Sequence, residues 1–320
     1  MTYFVYITDS ISVAKMECFW NKNMVGQNKK EDLNQWIGGE YYINTSLYMA
    51  IKDISTCSIL HIDTLYDNHT LDDASFIIVP GWATIPAQFI QYRYKMYSYR
   101  YFEGATTDFS GKHILTPYKY NQRHTFLPVS VIPATNTIDI TTSLNGVLIG
   151  KCISHTVARN KHTQLLSFID GVSHKLVSTL RPLHLFDTLP SYLESQKNVV
   201  IEYSDKIINH PNIESRGVLN PEEFRQLLTA CKYCIFYHGA FAPPTLLEAL
   251  YSRCIILATQ SVVPTDLLYN KNIILIDDMS NEHIYTLIDE IEQGIRIFDE
   301  NSLPQDYTVD NKIAILQSLA

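Results

Sequence analysis

Apolar positions along the chain fall in short continuous blocks, and these blocks predict two series of buried strands. The first half contains such blocks at residues 3–8, 58–62, 76–79, 113–115 and 126–132. The second half contains them at residues 146–149, 175–179, 199–203, 234–237, 254–258 and 273–276. Continuous apolar blocks of this length are typical of parallel strands that are covered on both faces.

Helical patterns lie between many of these blocks, and the clearest is NPEEFRQLLTACKY at residues 220–233. Asn220 is a good N-cap, and Pro221 suits the first helical position, where a missing N–H costs little. Apolar residues then follow at helical spacing, at positions 224, 227, 228 and 231. Strands that alternate with helices predict an α/β fold with parallel sheets.

The length of 320 residues allows two domains. The stretch PATNTIDITTSLN at residues 133–145 is rich in Thr, Asn and Pro and separates the two strand series. We therefore predict one domain over residues 1–135 and a second over residues 145–300. The net charge of −8 argues against a nucleic-acid-binding protein, which normally has a basic excess.

Features of secreted and membrane proteins are not visible in the sequence. The N-terminus reads as a strand rather than a signal peptide, and no apolar run approaches the roughly 18 residues of a membrane helix. We therefore expect a cytoplasmic protein. Its six cysteines are scattered, and Cys231 and Cys234 form a lone CxxC. Buried free thiols are the favoured interpretation, and a zinc site is the alternative.

The corner at residues 237–260, YHGAFAPPTLLEALYSRCIILATQ, is the strongest candidate for a binding site. A turn containing His238 and Gly239 follows a strand, and a helix then opens with prolines that include Pro244. The free amides and partial positive charge of a helix N-terminus suit a phosphate. Gly239, Pro244 and Thr245 are therefore predicted at a diphosphate. Glu248, about one turn deeper, can accept hydrogen bonds from two ribose hydroxyls; the alternative is a solvated or capping glutamate.

Basic residues that could hold a diphosphate are few in this acidic chain. Lys151 follows a predicted strand and Gly150, so it can reach a phosphate; the alternative is a solvated surface cation. His238 is a candidate phosphate or sugar contact, against a purely structural histidine. Arg159 and Lys161 are interpreted as solvated surface cations.

The stretch GVLNPEEFRQLLTACKYCIFYHGAFAPPTLLEALYSRCIILATQ resembles the donor-binding half of two-domain GT-B glycosyltransferases. Within them it is most similar to family 18, the alpha-1,6-mannosylglycoprotein 6-beta-N-acetylglucosaminyltransferases. The segments NGVLIGK at 145–151 and ILTPYKYNQRHTFLPV at 114–129 extend the likeness. Where that family has Glu-Gly-Pro, this chain has Ala242-Pro243-Pro244, so a carboxylate is missing.

The resemblance implies a GT-B fold, with two Rossmann-like, doubly wound parallel-sheet domains facing across a cleft. Residues 301–320 would then form a C-terminal tail that packs back on the first domain. The implied reaction is inverting transfer, in which a carboxylate takes the proton of the attacking acceptor hydroxyl.

The first domain offers a candidate for that general base. In QWIGGEYYINTSLYMAIKD, Gly38 and Gly39 precede a helical pattern, and Glu40 lies at its start. The family has a Gly-Glu before a helix ending in Ser-Leu-Tyr, like residues 46–48 here. Glu40 is therefore the predicted base and Asp63, after the strand at 58–62, is its rival. A glutamate favoured there only by the helix dipole is the alternative.

The run QFIQYRYKMYSYRYF at residues 88–102 mixes Arg, Lys and Tyr. It could line a sugar acceptor site through aromatic stacking, but an amphipathic helix with a tyrosine-rich flank is the favoured interpretation.

The sequence thus predicts a glycosyltransferase that moves sugar from a nucleotide-sugar donor to a glycan or glycoprotein hydroxyl. By resemblance the donor is a UDP-sugar such as UDP-GlcNAc. No cofactor is expected, and no Asp-x-Asp follows a strand, so transfer without a metal is expected. A nucleotide-sugar epimerase or hydrolase is a second possibility, although Gly-x-Gly-x-x-Gly does not follow the first strand. A non-catalytic protein that binds a nucleotide sugar or glycan is the third.

Overall fold

The computed structural model describes residues 4–8, 39–52, 54–61, 68–80, 87–100, 113–118, 125–129, 131, 147–149, 171, 176–180, 213–218, 221–236 and 244–319. It divides the chain into two compact units. The first unit comprises Met1–Val131 together with Gln305–Ala320, and the second comprises Ile132–Pro304. In these described residues, each unit contains a six-stranded parallel sheet.

The sheet of the first unit contains β1 (Phe4–Thr8), β2 (Cys57–His61), β3 (Phe76–Pro80), β4 (Met96–Tyr99), β5 (His113–Thr116) and β6 (Thr125–Phe126). Its strand order is β2-β1-β3-β4-β5-β6, and every neighbouring pair is parallel. The order reverses direction at β1, as it does in flavodoxin-like doubly wound sheets.

The sheet of the second unit contains β7 (Val147–Ile149), β8 (Leu176–Leu180), β9 (Ile213–Val218), β10 (Tyr233–Phe236), β11 (Ile255–Ala258) and β12 (Ile273–Leu275). Its strand order is β12-β11-β10-β7-β8-β9, again parallel throughout. Counted from β7 as strand 1, the order read from the β9 edge is 3-2-1-4-5-6. That is the order of doubly wound sheets that bind dinucleotides.

The α-helices of the described residues are α1 (Gly39–Ile51), α2 (Asn68–Asp72), α3 (Pro221–Ala230), α4 (Pro244–Tyr251), α5 (Asn281–Glu292) and α6 (Val309–Leu319). Short 3-10 segments include Ala87–Lys95, before β4, and Gln260–Val262, after β11. The prediction of an α/β fold on parallel sheets is confirmed.

The core of the first unit has two faces because successive strand residues point to opposite sides of the sheet. One face packs against α2 and the 3-10 segment, and its buried residues are Val5, Ile7, Leu71, Ala74, Ile77, Val79, Phe89, Tyr92 and Met96. On the other face the Tyr6 hydroxyl donates to Asn44 Oδ1 of α1 at 3.4 Å. Helix α6 packs against α1, so the end of the chain covers part of the first unit.

The core of the second unit is formed where α5 lies on β10 and β11. Its buried residues are Tyr233, Ile235, Ile255, Leu257, Ile276, Ile284, Ile288 and Ile291. Helix α4 contacts α3 and β11. The prediction for the helix at 220–233 is confirmed at its start, because α3 begins at Pro221 and buries Leu227 and Leu228. Asn220, the predicted N-cap, lies outside the described residues.

Two strands were not predicted, and one helix prediction was wrong. The run at 88–102 is not one amphipathic helix, because its 3-10 segment ends at Lys95 and β4 follows at once. Lys95, at the end of this segment, is buried and donates to the carbonyls of Asp72 at 3.0 Å and Ala74 at 2.8 Å. Strand β9 was also missed, the strand predicted at 126–132 is only Thr125–Phe126, and residues 199–203 lie outside the described residues.

Candidate functional site

The candidate site lies at the C-terminal edge of the second sheet, where the strand order reverses. Strands β7 and β10 are neighbours, with Val147 opposite Cys234 and Leu148 opposite Ile235. Beyond them the chain winds outward in opposite directions, through β8 on one side and β11 on the other. Connections on the two sides therefore diverge and leave a crevice, in which ligands of open parallel sheets bind.

Helix α4 directs its N-terminus to the same edge. It connects β10 to the parallel strand β11, so it must run back along the sheet and begin near the C-terminal ends of the strands. Pro244 is its first residue, as expected for a residue with a fixed φ and no N–H. The free amides of the following turn and the positive end of the helix dipole can therefore bind an anion at this edge.

The C-terminal end of α4 is closed by a tight turn that leads directly into β11. Arg253 has a φ of 67°, in the left-handed region, and Cys254 N donates to Ala249 O at 3.0 Å. Arg253 N donates to Leu250 O at 3.0 Å, which completes a Schellman-type closure. This turn fixes the length and direction of α4, and so fixes where its first residues lie.

Helix α4 buries two polar side chains on one face. Thr245 is 7% exposed and Glu248 is 1% exposed, and their spacing of three residues places them on the same side of the helix. Glu248 is therefore buried, and the alternative of a solvated glutamate is wrong. Burial of a carboxylate costs free energy unless polar groups or charges offset it, so Glu248 occupies this position for a polar interaction rather than for packing.

Thr259 is a further polar residue at this edge, and sequence reasoning did not single it out. It follows the last residue of β11, is 2% exposed, and its backbone N–H donates to Phe236 O at 3.1 Å. It thus joins the ends of β10 and β11 beside the crevice. The next residue, Gln260, is exposed, and its N–H donates to the Asp277 carboxylate after β12. A polar residue directly after a buried parallel strand was the signal that could have identified Thr259.

Three of the other predicted site residues follow β7 or β10 in the sequence. Lys151 is two residues after the end of β7, and His238 and Gly239 are two and three residues after the end of β10. They lie outside the described residues, as does Asp63. Helix α1 of the first unit begins at Gly39, so Glu40 is its second residue.

Three cysteines are buried near the starts of β10 and β11. Cys231, Cys234 and Cys254 are free thiols, and Cys254 Sγ donates to Leu228 O at 3.3 Å. Burial raises the pKa of Cys234 well above its usual value. The Cys234 thiol is therefore neutral and chemically quiet in the folded protein.

The described residues contain neither a cluster of metal ligands nor a membrane-spanning helix. Within the described ranges, no three His, Cys, Asp or Glu side chains gather closely enough to hold a metal ion. Of the helices described above, none has both the length and the apolar character needed to cross a bilayer.

Comparison with known proteins found likeness at the level of structure only. No model of a known protein family matches the chain, and no curated protein sequence matches it. Among solved structures it is similar to AviGT4, a glycosyltransferase involved in avilamycin A biosynthesis, with a TM-score of 0.48, 12% identity, and 99% of this chain and 98% of that chain covered.

Two other solved structures are also similar to this chain: one is a glycosyltransferase, and the other is a complex with UDP. WaaG, a glycosyltransferase involved in lipopolysaccharide biosynthesis, has a TM-score of 0.42 and 9% identity, covering 98% of this chain and 95% of its own. TarM of S. aureus, solved with UDP, fondaparinux and alpha-GlcNAc-glycerol, has a TM-score of 0.45 and 11% identity. That match covers 76% of this chain and 55% of the TarM chain. Scores and identities this low identify no substrate or mechanism for this chain.

Proposed function

We propose that this protein is a GT-B glycosyltransferase whose second unit binds a nucleotide-sugar donor at the switch point between β7 and β10. One observation carries the proposal. The second sheet has the strand order of dinucleotide-binding folds, and α4 brings its N-terminus and the buried Glu248 to the edge where such folds bind nucleotides.

Each site residue then has a proposed role. The first turn of α4, with Pro244 and Thr245, binds the diphosphate through backbone amides and the Thr245 hydroxyl. Lys151 supplies positive charge, and the turn of His238 and Gly239 lets the phosphate or sugar approach the backbone closely. Glu248 accepts hydrogen bonds from the ribose hydroxyls. Because Glu248 is 1% exposed, the groups that now cover it must move when the donor binds.

The proposed reaction is inverting transfer from a UDP-sugar, with UDP-GlcNAc as the leading candidate, to a hydroxyl of a glycan or glycoprotein. The acceptor oxygen forms a bond to the anomeric carbon as the bond from that carbon to the diphosphate oxygen breaks. The acceptor proton goes to a carboxylate base, for which Glu40 is the first choice and Asp63 the second. The departing UDP carries away the bonding electrons as negative charge.

We also propose that the transfer needs no divalent cation. The developing charge on the diphosphate would be met by the α4 N-terminus and Lys151 instead, because positive groups aimed at developing charge stabilise the transition state. The acidic pair Asp277 and Asp278 is exposed beyond β12 rather than beside the switch point.

Calorimetric titration with UDP, GDP, ADP and CMP, with and without EDTA, tests the proposal. The proposed site predicts saturable binding of UDP that is unchanged by EDTA and tighter than binding of the other nucleotides. Release of UDP from UDP-GlcNAc would then be measured in the presence of glycan acceptors. Absence of binding to all four nucleotides would exclude a transferase.

A non-catalytic binding protein is the second candidate, and one observation favours it. Ala242-Pro243-Pro244 stands where the resembling family has Glu-Gly-Pro, so one carboxylate of the expected site is missing. This candidate predicts UDP binding without release of UDP from any UDP-sugar. The two measurements above therefore separate the two candidates.

A further inference from the structure

The C-terminal helix α6 places a lysine in the interior of the first unit. Lys312 is 0% exposed, and its Nζ donates to Ser46 Oγ of α1 at 2.9 Å. Nζ also lies 5.7 Å from the ring centroid of Tyr99, on β4. Among the residues that the structure describes, no carboxylate is within ion-pair distance of this amine.

The contacts of Ser46 fix the direction of this hydrogen bond. The Ser46 hydroxyl donates to Ile43 O at 2.8 Å, so its oxygen is left to accept from Lys312. Burial lowers the pKa of Lys312 well below its usual value, which favours the neutral amine. A neutral amine still has N–H groups to donate. The Tyr99 hydroxyl is engaged elsewhere, donating to Leu127 O at 2.9 Å, and its ring faces the amine.

An amine is a costly choice for this position. Methionine or leucine would fill a similar space without the cost of removing a basic group from water. Leu316, one turn further along α6, is also 0% exposed and shows the apolar packing that the position could have had. The amine adds a hydrogen bond, which is directional, whereas apolar contacts are not. Apolar contacts alone allow two helices to slide or rotate, whereas one buried polar contact can select a single relative position.

We propose that Lys312 is a positioning residue for the transfer reaction, holding α1, and with it Glu40, in place through its hydrogen bond to Ser46. The inference rests on the proposed function, in which Glu40 is the general base. Glu40 and Ser46 share one helix and lie about 9 Å apart along its axis, so a displacement of α1 at Ser46 displaces Glu40 as well. Misplacement of a reacting group by about 1 Å can reduce a rate by as much as about a hundredfold.

Kinetics of three variants and one control test this role in the full-length protein. The variants are Lys312→Met, Ser46→Ala and the double variant, and the control is Leu316→Ala, which weakens packing of the same helix but keeps the amine. The measured quantities are kcat and KM for release of UDP from UDP-GlcNAc, the Kd for UDP, and the thermal midpoint. Lys312→Met should lower kcat about tenfold or more, with KM and the Kd for UDP within about twofold.

Comparison among the variants separates positioning from general stability. Positioning predicts that the double variant loses no more activity than the worse single variant, because both changes break one bond. It also predicts that Leu316→Ala keeps a wild-type kcat below its thermal midpoint. The proposal is overturned if Lys312→Met retains full kcat, or if Leu316→Ala loses as much kcat as Lys312→Met does.

Hydrogen exchange gives a test of this role that does not depend on enzyme activity. At a temperature well below both thermal midpoints, amides of α1 should exchange faster in Lys312→Met than in wild type, while those of α5 should not change. Unchanged exchange in α1 overturns the positioning role. If wild type releases no UDP from any UDP-sugar, the transferase proposal fails, and exchange still decides whether Lys312 holds α1.

Discussion

At the scale of single residues, polar side chains are buried at positions where apolar side chains would pack more easily. Glu248 and Lys312 are both buried, at 1% and 0% exposure, one in each unit. Neither burial could be predicted from the sequence, because a glutamate or lysine within a helical pattern is most often solvated. The sequence did indicate Glu248 as special, since it stands among leucines and alanines after two prolines.

Replacement of Glu248 tests its proposed role at the ribose. Glu248→Ala and Glu248→Gln should both weaken UDP binding, by about tenfold or more for alanine, because charge-assisted hydrogen bonds to the ribose hydroxyls are lost. Calorimetry measures the Kd directly. Glu282→Gln, an exposed glutamate at the start of α5, is the matched control and should bind UDP like wild type. Equal affinity of the Glu248 variants and wild type would remove the ribose assignment.

The buried amine of Lys312 should give stability a distinctive pH dependence. Its folded-state pKa is lowered by burial, so between that value and the unfolded value of 10.5 the unfolded chain binds more protons. The free energy of unfolding therefore gains a contribution that rises with pH across this window, and Lys312→Met should abolish it. Tyr99, which faces the amine, has a pKa raised by burial and contributes with the opposite sign at alkaline pH.

Urea unfolding of both proteins at intervals from pH 7 to pH 10 measures this contribution as a difference. The Tyr99 contribution is common to the two and cancels. A difference in stability that is independent of pH would show that Lys312 is charged in the folded protein.

At the scale of elements, continuous apolar strands were predictable, whereas β4 and β9, which mix polar or charged residues with apolar ones, were not. Strands β3, β10 and β11 are continuous apolar runs buried along their whole length, and each was predicted. Strand β4 reads MYSY within a run of Arg, Lys and Tyr, which matches a helix with a polar flank equally well. Its place in the sheet depends on partners distant in sequence, as when the Tyr99 hydroxyl bonds Leu127 O.

The contribution of that tertiary contact can be measured. Tyr99→Phe should lower the free energy of unfolding by about 1–2 kcal/mol, because a buried carbonyl loses its donor while the ring still fills its space. Tyr94→Phe is the matched control, since Tyr94 is 67% exposed, and should change stability by less than about 0.5 kcal/mol. Similar stability of Tyr99→Phe and wild type in urea would mean that β4 is held by packing alone.

At the scale of the whole molecule, the order of the strands could not be predicted from the sequence. The blocks of apolar residues predict parallel strands, but only the structure shows that the second sheet has the order 3-2-1-4-5-6 with its switch point between β7 and β10. Pairing of distant strands depends on packing of the entire unit. The resemblance to family 18 stays a prediction, as do the roles of Lys151, His238 and Gly239.

The grouping of the chain end with the first unit leads to a prediction about truncation. Tyr307 is fully buried, with its ring centroid 6.1 Å from that of Tyr118 and 5.7 Å from that of Phe126. Deletion of Gln305–Ala320 should expose these rings and speed hydrogen exchange in β1, β3 and β5, while α5 keeps its protection. Equal loss of protection in α5 would contradict this division of the chain.

Hydrogen exchange of the wild-type protein with and without UDP tests the central claim most directly, because it locates the nucleotide on the chain. The account predicts that UDP slows exchange in peptides covering residues 145–151 and 237–251, on the two sides of the switch point, and leaves α5 unchanged. Protection confined to other peptides, or none at saturating UDP, would contradict a nucleotide-sugar site at the β7–β10 edge.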